Sequence, residues 1–255
     1  MLALTSTHFN SSSLMRVLAD LGVTGAVAAG PAFAEKLGLW VSFTDAIALS
    51  AVHNQIPIQA QVAPVRKLSV AYTAIADEVT NTRAGLVHLI TRRGGLARGK
   101  SHIQLPEPPD TATIGVAAYE PYRRFYTAHQ REMEATLGPL RAKVRAVLAS
   151  LSPALQQLAA LDATLDNILC ERESKLLTKV APLLQKRFVH LLRTQQQALH
   201  TSEQTAPPVI RMKDGTWLAR FCHELQTVLL AELDLRLQPT LGLLEAYQNE
   251  MKTKT

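Results

Sequence analysis

The stretch PALQQLAALDATLDNILCERESKLLTKVAPLLQKRFVHLLRTQQQALH, residues 153–200, decides the fold class of this chain. Leu155, Leu158, Leu161, Leu165, Ile168 and Leu169 recur at steps of three and four, and Leu176, Val180, Leu183, Leu184, Phe188, Leu191 and Leu192 continue the pattern. Such steps put side chains on one face of an α-helix, whereas a strand alternates at every second residue. The charged run Glu171-Arg172-Glu173-Ser174-Lys175 interrupts the stripe. Pro182 bends or breaks it, having no backbone N–H and clashing with the preceding turn. The spine is expected as two helices, or one sharply kinked helix, meeting near Pro182.

Helical spacing extends to both sides of the spine. Ser11-Ser12-Ser13 cap a short helix carrying Leu14, Val17, Leu18 and Leu21, which Gly22 ends. Pro31 opens a second, with Phe33, Leu37, Trp40, Phe43, Ile47 and Ala51 up to His53-Asn54. A third runs from Val65 to Arg93 and stops at Gly94-Gly95. Tyr119 to Gly138-Pro139 and Leu140 to Leu151 read as two further pieces, and Ser152-Pro153 is a cap and first position for the spine. Beyond Pro207-Pro208, Thr216 caps a helix with Trp217, Phe221, Leu225 and Leu229, and Pro239 separates it from a last short one. Residues 94–118 hold seven glycines and prolines, Gly94 to Gly115, which exclude a regular element. The expected fold is all-α: a multi-helix bundle of seven to nine helices with a long irregular basic loop near the middle. That loop divides an N-terminal helical unit, 1–93, from a C-terminal bundle, 119–255, unless the whole forms one continuous domain.

Composition agrees with a helical globule. Apolar residues make up 47% of the 255, charged residues 19% and aromatics 5%, with Leu and Ala dominant. Cys170 and Cys222 lie in helical patterns without CxxC spacing, so both are expected as buried small hydrophobes in a reducing compartment. No run of eighteen apolar residues exists to span a bilayer. Met15-Arg16 leading to Ala32-Phe33-Ala34 imitates a signal peptide, but Asp20, Gly22, Gly25 and Gly30 break its apolar region. A cytoplasmic chain is expected.

The net charge of +6 is unevenly spread: residues 79–200 carry 17 basic and 9 acidic groups, while both ends are slightly acidic. Arg83, Arg92, Arg93, Arg98 and Lys100 fall in a stretch, Val79 to Pro106, without one acidic residue. They are the candidate anion- or partner-binding residues, and phosphate or carboxylate is the group they suit. A solvated surface is the simpler account of the same charges. Nucleic acid is the weaker alternative, because the loop has no aromatic platform for bases and the nearby Tyr119, Tyr122, Phe125 and Tyr126 have the spacing of core residues.

Gly94-Gly95-Leu96-Ala97-Arg98-Gly99-Lys100-Ser101 satisfies the phosphate-loop pattern GxxxxGK[ST]. Such a loop cradles phosphates because it follows a buried strand and opens a helix. Here it follows a helical pattern, and Pro106 bars a helix soon after it, so a nucleotide-dependent enzyme is only the third reading. The histidines are scattered singly, and His223-Glu224 lacks the second histidine of a helical zinc motif. Glu171/Glu173 and Glu232/Asp234 stand two apart and point to different helix faces; surface ion pairs Glu171–Lys175 and Glu232–Arg236 account for them. No catalytic residues, metal or cofactor are expected. Arg172, with Glu173 beside it, lies next to the apolar stripe and is the candidate interface or register device; its simpler role is a surface arginine.

Three stretches together resemble a known family: Phe33 to Ala46, Cys170 through Phe188, and Leu229 to Glu245. The chain is similar to proteobacterial proteins of about this length, a domain of unknown function. The resemblance implies a cytoplasmic component of an envelope-associated assembly and supplies no catalytic residues. The function expected is therefore non-enzymatic binding or assembly with a protein partner.

Overall fold

A computed structural model describes residues 12–23, 38–54, 65–92, 103, 105–106, 115–205 and 216–252. Among them are seven α-helices: α1 Ser13–Asp20, α2 Phe43–Asn54, α3 Val65–Thr91, α4 Glu120–Ala149, α5 Pro153–Leu177, α6 Val180–Thr205 and α7 Thr216–Lys252. A 3-10 turn, Val116–Tyr119, leads into α4, and no described residue is in a strand. The fold is all-α. Most of the 94–118 stretch, with its basic residues, lies outside the described residues.

Local signals explain most of the boundaries. Ser12 Oγ accepts the Met15 N–H to start α1, and Gly22, at φ 65°, takes the left-handed conformation that ends it. Ser152 Oγ accepts the Leu155 N–H at 3.2 Å, with Pro153 as the first residue of α5. The spine is two helices, but the break falls at Thr178-Lys179. Pro182 then sits in the first turn of α6, where N–H groups have no partner within the helix, so the ring costs nothing there. The charged run 171–175 is helical throughout, and Glu171 pairs with Lys175 one turn on.

Three expected boundaries differ. The chain bends at Val41 and α2 restarts under a reciprocal cap: Ser42 N–H and Oγ–H donate to Asp45 Oδ2, and Asp45 N–H donates to Ser42 Oγ. Helix α4 runs unbroken through Pro139, and α7 runs unbroken through Pro239. Buried residues recur on both sides of each proline: Leu137, Leu140 and Val144 around the first, Leu237, Leu243 and Tyr247 around the second. Continuous packing outweighs the lost hydrogen bond.

The chain forms two compact units, each drawn from three separated segments. Unit 1 comprises Met1–Val27, Val87–Glu132 and Thr178–Leu233. Its core holds an aromatic cluster in which Phe188 meets Tyr119, Tyr122, Trp217 and Phe221 at ring distances of 5.1–5.9 Å. Tyr119 Oη donates to the Ala181 carbonyl at 2.6 Å, and Gln226 Nε2 to the Ile90 carbonyl at 2.9 Å. Unit 2 comprises Ala28–Leu86, Met133–Leu177 and Asp234–Thr255. Ile75, Val79, Val144, Leu148, Leu155 and Leu243 are among its buried residues, and Tyr72 packs edge-on to Tyr247 at 5.3 Å. Cys222 is buried as expected, whereas Cys170 is exposed.

Candidate functional site

The charge separates by unit. Among the described residues, unit 1 carries ten basic and six acidic groups, and unit 2 ten basic and eleven acidic. Within unit 1 the excess collects on α6. Leu184, Phe188, Leu191 and Leu192 bury one face of this helix, which fixes the opposite face outward. Lys179, just before the helix, Lys186 and Arg193 follow one another at steps of seven, and all three are exposed. Seven residues are nearly two turns, so the three charges fall along one side at intervals of about 10 Å. His190 is exposed between the last two. Residues 174–202 contain no Asp or Glu, and none of these three cations forms an ion pair among the described residues.

The stripe is held on a rigid support. Arg187, on the flank of α6, reaches Glu224 of α7 through two contacts of 2.7 and 2.8 Å, and Arg220 shares the same carboxylate at 2.9 Å. Burial pushes the Glu224 pKa up, but the hydrogen bonds from Arg187 and Arg220 outweigh it and hold the group below the usual carboxylate range. Glu224 in turn raises the Arg187 pKa, by hydrogen bond first and charge second, against the cost of burial. At the start of α4, Glu120 accepts from Arg123 and Arg124, which together pull its pKa down to about 2. These arginines are engaged locally; the α6 row is not.

The residues singled out by sequence divide three ways. Arg83, on α3 in unit 2, donates to Asp234 at 3.0 and 3.3 Å, so its charge is already matched. Arg92 follows the end of α3 in unit 1, its N–H bonded to the His88 carbonyl. Arg93, Arg98 and Lys100 lie outside the described residues, as does the whole Gly94–Ser101 motif. What precedes that motif is helix to Thr91, not the strand a phosphate loop follows. Arg172 is exposed on α5 and its charge helps lower the Asp45 pKa, after the dominant hydrogen bonds from Ser42. Glu173 is half-buried and lies in the field of Arg141.

Two charged clusters escaped the sequence reading. Arg141 and Arg145 of α4 meet Asp162 and Asp166 of α5 in a ring of contacts between 2.6 and 3.2 Å. Glu232, expected at the surface, is fully buried in unit 1; the Tyr126 hydroxyl donates to it in a short hydrogen bond, and Gln130 Nε2 lies 3.0 and 3.1 Å from its two oxygens. The first cluster is partly exposed and paired within itself, and Glu232 is closed to solvent. No group of His, Cys, Asp and Glu among the described residues is placed to hold a metal ion. What the accessible arrangement offers is a linear row of cations on a rigid helix, suited to an extended anionic surface.

The four aromatics Tyr119, Tyr122, Phe125 and Tyr126 are all buried, so none presents a face to a base. Among the described residues no helix is long and apolar enough to cross a membrane. A family model described as a protein of unknown function (DUF3348) matches residues 1–249. No curated protein and no solved structure matches the chain.

Proposed function

We propose that this chain, which belongs to the DUF3348 family of proteins of unknown function, is a non-enzymatic binding or assembly protein. It works in the cytoplasm and docks an acidic protein surface, such as that of an envelope-complex component, on the basic face of unit 1. The observation that carries this reading is the α6 row of Lys179, Lys186 and Arg193, exposed and free of ion pairs among the described residues. Arg92, Arg93, Arg98 and Lys100 fall by chain position in the Val87–Glu132 segment of the same unit, and the last three lie outside the described residues. A nucleic acid would meet phosphate contacts on this face but, among the described residues, no stacking platform, because the described aromatics of unit 1 are packed in the core.

The test exploits the lysines themselves. Amine-reactive crosslinking in cells, followed by nuclease treatment, is expected to join Lys179 or Lys186 to an acidic segment of another protein. Arg193→Glu, which leaves Lys179 and Lys186 as reactive amines, should weaken the product while leaving helicity unchanged. Loss of every crosslink on nuclease treatment, with salt-sensitive DNA binding by the purified chain, would replace the protein partner by nucleic acid. Magnesium-dependent ATP binding abolished by Lys100→Ala would instead revive the nucleotide reading.

A further inference from the structure

The outward face of α6 repeats more strictly than scattered surface charge does. Lys179, Leu183, Lys186, His190, Arg193 and Gln197 follow one another at steps of four and three; Leu183 is half-buried and the others are exposed. Lys179 begins the line as the residue whose carbonyl accepts the Leu183 N–H. Steps of four and three are the spacing of a coiled-coil seam, and here a cation stands at the start of each heptad. Leu184, Phe188, Leu191 and Leu192 fill the opposite face, so this seam is not the one that packs into unit 1. Two other helices match cations internally: Glu171 pairs with Lys175 on α5, and Glu120 with Arg123 and Arg124 on α4. On α6 the sequence forbids that, because 174–202 holds no acid.

We infer that the element this row accepts is an α-helix of the acidic partner, with carboxylates at every seventh residue, laid along α6. The inference rests on the reading of the basic face given above, and adds the partner's secondary structure and register. Spacing selects the helix. Cations seven residues apart stand at intervals of about 10 Å, and a second helix repeats its own side at the same interval. A strand shows one face at multiples of about 6.7 Å, so the middle cation, Lys186, would fall between two of its acids. A strand of duplex DNA carries a phosphate about every 3.4 Å along the axis and would be indifferent to where the cations stand. Handedness agrees with this choice. Seven residues fall about 20° short of two full turns, so the row drifts around α6 with the slant that a partner crossing at about +20° follows. Leu183, between Lys179 and Lys186, gives that partner one apolar contact, and the lysine stems add to it. Exposed ion pairs are weak singly and screened by salt, so the binding is reversible and lost at high ionic strength.

Two synthetic helices test it, both Ala-rich, hydrocarbon-stapled, about three heptads long and carrying three Glu. In one the Glu recur at every seventh residue; in the other they recur at every fifth, which spirals them around the helix. Fluorescence anisotropy with the full chain at low salt should show the first bound about fivefold tighter or more. Lys186→Glu should remove that preference with circular dichroism unchanged. The first peptide with its central Glu replaced by Lys should then bind the Lys186→Glu chain better than the original peptide does, and Lys179→Glu should show no such rescue. Because Lys186 is the middle cation, the swap works whether the helices run parallel or antiparallel. Equal affinity for the two peptides, or a swap that fails to rescue, overturns the helical register and leaves the basic-face reading standing. If neither peptide binds, both fall, and binding of a short DNA duplex in their place gives the face to nucleic acid.

Discussion

Arg141 of α4 and Asp162 of α5 meet through two contacts, 2.6 and 2.9 Å, between side chains only 15% and 13% exposed. Arg145 and Asp166 close the ring, with Arg141 to Asp166 at 2.8 Å and Arg145 to Asp166 at 2.9 Å. Burial opposes the charge on Arg141, but the Asp162 hydrogen bond and the charges of Asp162, Asp166 and Glu173 raise its pKa above the ordinary arginine value. Two residues one turn apart on each helix engage two on the other. A slip of one residue would swing every partner about 100° away, so the ring fixes the register of the hairpin.

Asp162→Ala should therefore destabilise the chain by about 2 kcal/mol, less than the ~3–5 kcal/mol of a fully buried pair because water reaches part of the ring. The measure is the urea unfolding midpoint at pH 7. Arg141→Met with Asp162→Leu should recover most of the loss, since neither charge is then left unmatched. A single variant as stable as the parent would reduce the ring to surface decoration.

His129 sets a pH dependence. It is 1% exposed, packs against Phe125 at a ring distance of 4.5 Å, and burial pushes its pKa down to about 4 from 6.5. Between those values the unfolded chain takes up a proton that the folded chain refuses, so stability falls as pH falls. The loss begins near pH 6.5 and reaches about 3 kcal/mol once pH is below 4. In the upper part of that window, pH 6.5 to 5, carboxylates contribute little. His129→Gln should flatten the stability–pH curve there, and a curve of unchanged slope would assign the dependence elsewhere.

The carboxylate of Glu232 gives a third measurable. Tyr126→Phe removes the short hydrogen bond from a hydroxyl to a buried carboxylate and should cost about 1.5–3 kcal/mol. Glu232→Leu should cost more, because the Tyr126 hydroxyl and the Gln130 amide would both lose an acceptor in the core. Thermal unfolding of the two variants gives the order; the reverse order would mean that the core relaxes around the lost acceptor.

Local chemistry made the helices legible: Ser12, Gly22 and Ser152-Pro153 each act through the few residues around them. The apolar stripes of α4, α6 and α7 also proved to be buried faces, since the 3.6-residue period follows from what the core demands. The α2 stripe did not, because period shows which residues share a face and not which way that face points. Partners distant in sequence were hidden for a related reason. Arg141 and Asp162 stand at nearly equal distances from the Ser150–Ser152 corner, a symmetry that becomes a signal only when α4 and α5 are known to fold back on each other. Glu232 looked like a surface acid until Tyr126 and Gln130, about a hundred residues away, were brought to it. The acid-free stretch 174–202 was visible in the sequence, but its lysines could be placed outward only with Phe188 placed inward.

Pro139 provides the last test, because propensity and packing disagree there. The proline is exposed, interrupts the hydrogen-bond ladder of a thirty-residue helix, and follows Gly138, also exposed. Proline in a helix interior costs about 3 kcal/mol relative to alanine and glycine about 1. The surrounding Leu137, Leu140, Val144 and Leu148 hold the helix together against both. Pro139→Ala restores an N–H donor and frees the Ala135 carbonyl from the ring, while giving up some rigidity of the unfolded chain. The net expectation is a gain of about 1 kcal/mol or more, read as a higher urea midpoint. Gly138→Ala, with nothing within 4 Å of the added methyl, should add a further ~0.5–1 kcal/mol. A loss of stability in Pro139→Ala would mean that α4 is bent at this point and that the packing of Leu137 and Leu140 depends on the bend.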